Sequence, residues 1–158
     1  MRFHKSIELT GPFDQARALL LDPGFREEVA REAGAEDVVV SVDEQASGSA
    51  VATIDTRQPT TGMPALATRF LGGELAVHQE ERWVTPASGT MLVTIPGQPG
   101  RVEGTVTLED RAGVVVQTVD AEITVKIPLV GGKVERLIGS VVGHVLKIQE
   151  QTANERLR

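Results

Sequence analysis

The feature that most constrains this chain is its last long segment. After Pro128-Leu129-Val130-Gly131-Gly132, apolar residues recur at Val134, Leu137, Ile138, Val141, Val145 and Ile148, the three/four spacing of an amphipathic helix. The spacing predicts one helix over 131–155, with Lys133, Arg136, Ser140, Lys147, Glu150 and Gln151 on its water-facing side. A stripe of that length has to be buried, and the chain offers no second helix of similar size. Its partner must be a sheet, which the rest of the sequence has to supply.

It does so from the start. Phe3, Ile7 and Leu9 alternate with Arg2, His4, Ser6 and Glu8, the period-two pattern of a half-buried strand, broken only by Lys5. Thr10-Gly11-Pro12 ends this strand, and Phe13, Ala16, Leu19 and Leu20 then fall at helical spacing up to about Leu21, with Pro12 suited to the first helical position. Asp22-Pro23 repeats the device, a capping carboxylate before a proline preset for a first turn, and predicts a second short helix ending near Gly34. From Glu36 the text becomes valine-rich segments parted by turn residues, predicting strands at 36–45, 49–58, 74–84, 89–96, 101–109 and 113–127. Between Gln58 and Gly73, the stretch 65–71 has room for a turn or two of helix. The expected architecture is α+β: a seven-stranded curved antiparallel sheet, two short helices and one long C-terminal helix laid over the apolar face, in a single domain spanning 1–158.

Composition narrows the function classes. Apolar residues are 41% and charged residues 24% of the chain, as in ordinary globular domains. The net charge of −6 disfavours a nucleic-acid backbone or an anionic membrane surface as partner. The absence of cysteine removes disulfides, thiol nucleophiles and thiolate metal sites. No uncharged apolar run reaches 18 residues and the first residues do not read as a signal peptide, so the expectation is a cytoplasmic protein without an integral membrane segment. With four Phe, one Trp and no Tyr, the interior has few bulky groups to fill a wide concavity.

A strand, two short helices, six meandering strands and a long final helix resemble the helix-grip fold of the START-like and birch-pollen-allergen (SRPBCC) superfamily, over nearly the whole chain. More narrowly, Met63-Pro64, Arg69-Phe70-Leu71-Gly72-Gly73, Glu80-Glu81-Arg82-Trp83 and residues 127–135 are similar to an uncharacterised bacterial family within it, common in actinobacteria. The superfamily includes lipid-transfer domains, polyketide cyclases and coenzyme Q-binding proteins. The resemblance implies a cavity between sheet and helix, while no set of residues here matches a cyclase active site.

Motifs for catalysis are missing. His4, His78 and His144 are scattered, with no metal-ligand spacing; the glycine pairs match no phosphate loop; Ser6, Ser41 and Ser140 lie in no nucleophile motif; and the adjacent acids Glu27-Glu28, Glu80-Glu81 and Glu109-Asp110 point in different directions. No catalytic residue, metal ligand or cofactor is assigned. More informative are polar residues in apolar registers, because burying one without a partner costs about 1–3 kcal/mol. Gln117 alone breaks the inward series Val115, Val119, Ala121, Ile123, Val125 and Ile127. Gln79, Glu81 and Trp83 follow Leu75 and Val77 on the inward parity of their strand.

These residues lead to three readings. In the first, the chain binds or carries a hydrophobic small molecule or lipid, walled by Val93, Val106, Leu137, Val141 and Val145 and oriented by Gln79, Glu81, Trp83 and Gln117. In the second, it is a small cyclase- or dehydratase-like enzyme with Glu81 as general base. In the third, the interior is filled by its own side chains and the surface binds a protein. The structural counterpart to any ligand role is that Gln79 and Glu81 lie near the open rim of the sheet, or meet Arg57 in a buried pair.

Overall fold

The computed structural model describes residues 1–158. The first strand, β1 (Arg2–Thr10), leads into two short helices, α1 (Phe13–Leu20) and α2 (Pro23–Glu32). Pro12 sits just before α1 rather than in its first turn. Asp22 caps α2 as its sequence implies, accepting a hydrogen bond from Gly24 N at 3.1 Å, with Pro23 at the first helical position. The strands β2 (Asp37–Glu44) and β3 (Ala50–Pro59) follow, then a third short helix, α3 (Ala65–Leu71), on the stretch that had room for a turn or two of helix. The meander continues through β4 (Glu74–Thr85), β5 (Ser88–Thr94), β6 (Gly100–Arg111) and β7 (Val114–Val125), and the chain closes with α4 (Gly131–Leu157).

All seven strands form one antiparallel sheet in the order β1-β7-β6-β5-β4-β3-β2. Every neighbour in the sheet is a neighbour in sequence except β1, which closes onto β7. Alternation decides which face is covered: Ile7, Leu9, Val102, Val106, Val115, Val119 and Ile123 are buried under the helices. Gly104 shares that inward parity, and its hydrogen in place of a side chain admits the backbone of β7 at Asp120 and Ala121.

The long helix lies closest to the sheet at β1. A Cβ on Gly139 would come 2.6 Å from Met1 Cε and 3.5 Å from Ile123 Cδ1, and Gly143 faces Phe3 and Lys5. Lys5, the break in the alternation of β1, turns inward and donates from Nζ to the Gly143 carbonyl at 3.1 Å. Further along, α4 satisfies the free edge of β1. Glu150 Oε2 accepts from Glu8 N at 2.8 Å, Asn154 Oδ1 accepts from Thr10 N at 2.9 Å, and Asn154 Nδ2 donates to the Glu8 carbonyl at 3.0 Å. The expected water-facing position of Glu150 is thus corrected: it is half-buried against β1, because an unpaired strand edge recruits the nearest side-chain acceptor. No helix is long and apolar enough to cross a membrane.

Candidate functional site

Because α4 is drawn down onto β1, it stands away from the strands at the other side of the sheet. A space of about 260 Å³ remains between α4 and β3–β7, closed by α2 and α3. That is many times the volume of a single water and just below the range of about 300–1,000 Å³ common for sites that enclose drug-sized ligands. Most of its lining is apolar. The sheet contributes Val93 and Val106, and α4 contributes Leu137, Val141 and Val145. Val141 is 41% exposed and so marks an opening beside α4.

Buried polar side chains interrupt this wall in two places. In the first, Arg26 from α2 and Glu81 from β4, each 5% exposed, form an ion pair. Arg26 Nη2 donates to Glu81 Oε2 in a short contact, and Nη1 donates to Glu81 Oε1 at 3.3 Å and to the Leu20 carbonyl at 3.1 Å. Glu81 also accepts from Gln79 Nε2 at 2.6 Å and from Trp83 Nε1 at 3.2 Å. In the second, Gln149 of α4 donates from Nε2 to Gln117 Oε1 of β7 at 2.7 Å, both side chains being almost fully buried.

The placement of the sequence candidates follows directly. Gln79, Glu81, Val93, Val106, Gln117, Leu137, Val141 and Val145 all border the space. Trp83 does not: its ring is buried in the core, and its indole N–H is spent on Glu81. Arg57 is not the partner of Glu81. It is exposed and meets Glu74 at 3.5 Å, because β3 directs residue 57 to the solvent face, while α2 delivers Arg26 from above the sheet.

The buried partners of Glu81 and Gln117, Arg26 and Gln149, escaped the sequence reading, although each carried a signal. Arg26, Val29, Ala30 and Ala33 border the space at i, i+3, i+4 and i+7, so Arg26 is a lone cation on an apolar helical stripe. Gln149 continues the series Val142, Val145 and Leu146, breaking the inward face of α4 as Gln117 breaks that of β7.

The arrangement holds groups in place more than it moves protons. Both oxygens of Glu81 are engaged by donors that need the carboxylate where it is. None of the histidines lies on the wall: His4 and His144 are exposed, and the His78 ring meets Asp55 at 2.6 Å on the outer face. No cluster of three or more His, Cys, Asp or Glu side chains is placed to hold a metal ion.

Comparison with known proteins bears on this geometry at the level of fold and family. A sequence model of the family described as "Protein of unknown function (DUF2505)" matches residues 5–157. Uncharacterized protein Rv0481c of Mycobacterium tuberculosis and Uncharacterized protein Mb0491c of Mycobacterium bovis are each 33% identical over 95 residues, 56% of this chain and 55% of theirs. The chain thus spans little more than half the length of the curated relatives it matches. Among solved structures, a START superfamily protein from Mycobacterium smegmatis superposes with a TM-score of 0.61 at 14% identity, covering 99% of both chains. The Zhui aromatase/cyclase from a Streptomyces species gives a TM-score of 0.64 at 9% identity, covering 99% of this chain and 93% of that one. At such identities the likeness is one of fold alone, a helix-grip arrangement of curved sheet and long helix.

Proposed function

This chain belongs to the DUF2505 family, and from that membership and its START-superfamily fold we propose that, as one domain, it binds or carries a small hydrophobic molecule in the space between sheet and α4. The observation that carries the proposal is the combination of a mostly apolar wall with a few fixed polar groups inside it, the usual make-up of a small-molecule site. The volume suits one compact ring system or a single short acyl chain. An apolar occupant would be held by its removal from water, worth about 25 cal/mol for each Å² of apolar surface covered before the costs of association.

Glu81 as a general base receives less support, because its oxygens are already taken by Arg26, Gln79 and Trp83. A filled interior with a protein-binding surface is also disfavoured, since the space is far too large to be a packing defect.

The test compares the protein with Val141→Trp, which places an indole at the opening. The purified proteins are extracted with organic solvent and the extracts read by mass spectrometry, alongside thermal shifts with a panel of lipophiles. A lipophile recovered from the parent chain and lost from a folded Val141→Trp variant supports carriage. An empty extract, with no thermal shift for any lipophile in either protein, overturns it.

A further inference from the structure

We infer that the cavity selects an uncharged ligand that both donates and accepts hydrogen bonds, such as a primary amide or a lactam, and that the Gln117–Gln149 pair reads it. The inference rests on the binding role proposed above and adds the chemical class of the occupant.

Charge comes first. The ionisable side chains on the wall are Arg26, Glu81 and Arg101. Arg26 and Glu81 neutralise each other inside the protein, and Arg101, which is exposed, is paired with Glu103 at 3.0 Å. No buried cation is left over for a carboxylate or phosphate, and no buried anion for an amine. A charged head group would shed its hydration without compensation, the costliest form of burial.

The hydrogen-bonding groups then define the head. Gln149 and Gln117 are 3% and 4% exposed and use one group each on the other. This leaves Gln117 Nε2 as a free donor and Gln149 Oε1 as a free acceptor. If both amides were turned over, the pair would still present one of each. No fully buried side-chain nitrogen or oxygen in the protein lacks a partner, so these unpaired atoms are ones that open onto space, and the space their residues border is the cavity. Elsewhere on the wall Gln79 Oε1 is a further free acceptor, its Nε2 being committed to Glu81, and the Thr56 hydroxyl and Gln58 amide, likewise without protein partners, add neutral donors and acceptors but no charge. A carboxylate offers acceptors only and would oppose Gln149 Oε1, whereas an amide completes the pair on both sides.

The experiment uses near-isosteric probes that differ in charge and donor capacity: 2-naphthamide and 2-naphthoate, and decanamide and decanoate, titrated at pH 7.4 by calorimetry. Each amide should bind at least tenfold more tightly than its carboxylate. In Gln117→Leu/Gln149→Leu that preference should fall about tenfold with the melting temperature retained, because removing both partners leaves no unpaired buried group. Equal or tighter binding of the carboxylates overturns this inference and leaves the binding role standing. So does a preference unchanged in the double variant. Failure of all four probes, with an empty solvent extract, overturns both.

Discussion

Arg26 on the second helix and Glu81 on the fourth strand face each other 55 positions apart in the chain, almost fully buried and joined by two hydrogen bonds. The pair fixes α2 over the sheet, so removing one member strands the other charge in a place that water reaches poorly. Glu81→Leu is expected to cost about 3–5 kcal/mol of stability in urea unfolding, and Arg26→Met/Glu81→Leu considerably less than the sum of the two single changes. Additive losses would mean that the two side chains do not act as a unit.

The bend of the sheet makes a second prediction. At Gly104 a Cβ would fall on the Asp120 carbonyl oxygen and 2.5 Å from Ala121 Cα, with backbone rather than a flexible side chain in the way. Gly104→Ala should therefore destabilise the protein by about 1–3 kcal/mol, measured by thermal or urea unfolding. Gly62→Ala, which meets nothing within 4 Å but holds a φ of +88°, provides a comparison in which only backbone strain is added.

Acid should reveal the tie between α4 and β7. The Val125 N–H donates to Glu135 Oε2 at 2.9 Å and, with the Met1 ammonium 3.5 Å from Oε1, holds this carboxyl below the usual glutamate value of 4.5. A depressed value means that the contribution is present above pH 4.5 and is lost as pH falls through the lower, folded-state value. Glu135→Gln should be less stable than the parent chain at pH 6, and the difference should shrink steadily below pH 4.5 in unfolding curves taken across that range. A gap that stays constant down to pH 3 would refute the assignment.

The amphipathic period of α4 and the alternation in the strands made most of the fold readable, since both record directly which side of an element meets water. What local pattern does not encode is who meets whom. The inward parity of Glu81 was visible in β4, yet its partner depended on where α2 docks, a relation set by tertiary packing rather than by spacing along the chain. Lys5 looked like an error in its strand until the Gly143 carbonyl stood opposite it. Gln117 was legible because it stands alone among valines, and Gln149 was hidden by the many polar residues of a helix whose other face is wet. Trp83 illustrates the reverse: correct parity put it inside, and only packing decided that it belongs to the core and not to the wall.

The closure of the first strand onto the last has a consequence for how the molecule is made. During synthesis, residues 2–10 emerge early, but Glu122 through Val114, with which they pair, arrive over a hundred positions later, and the helix side chains that satisfy their other edge come later still. Until then the opening segment is a ribbon with both margins bare, so assembly should be slow for a chain of this size and should benefit from a ribosome-bound chaperone.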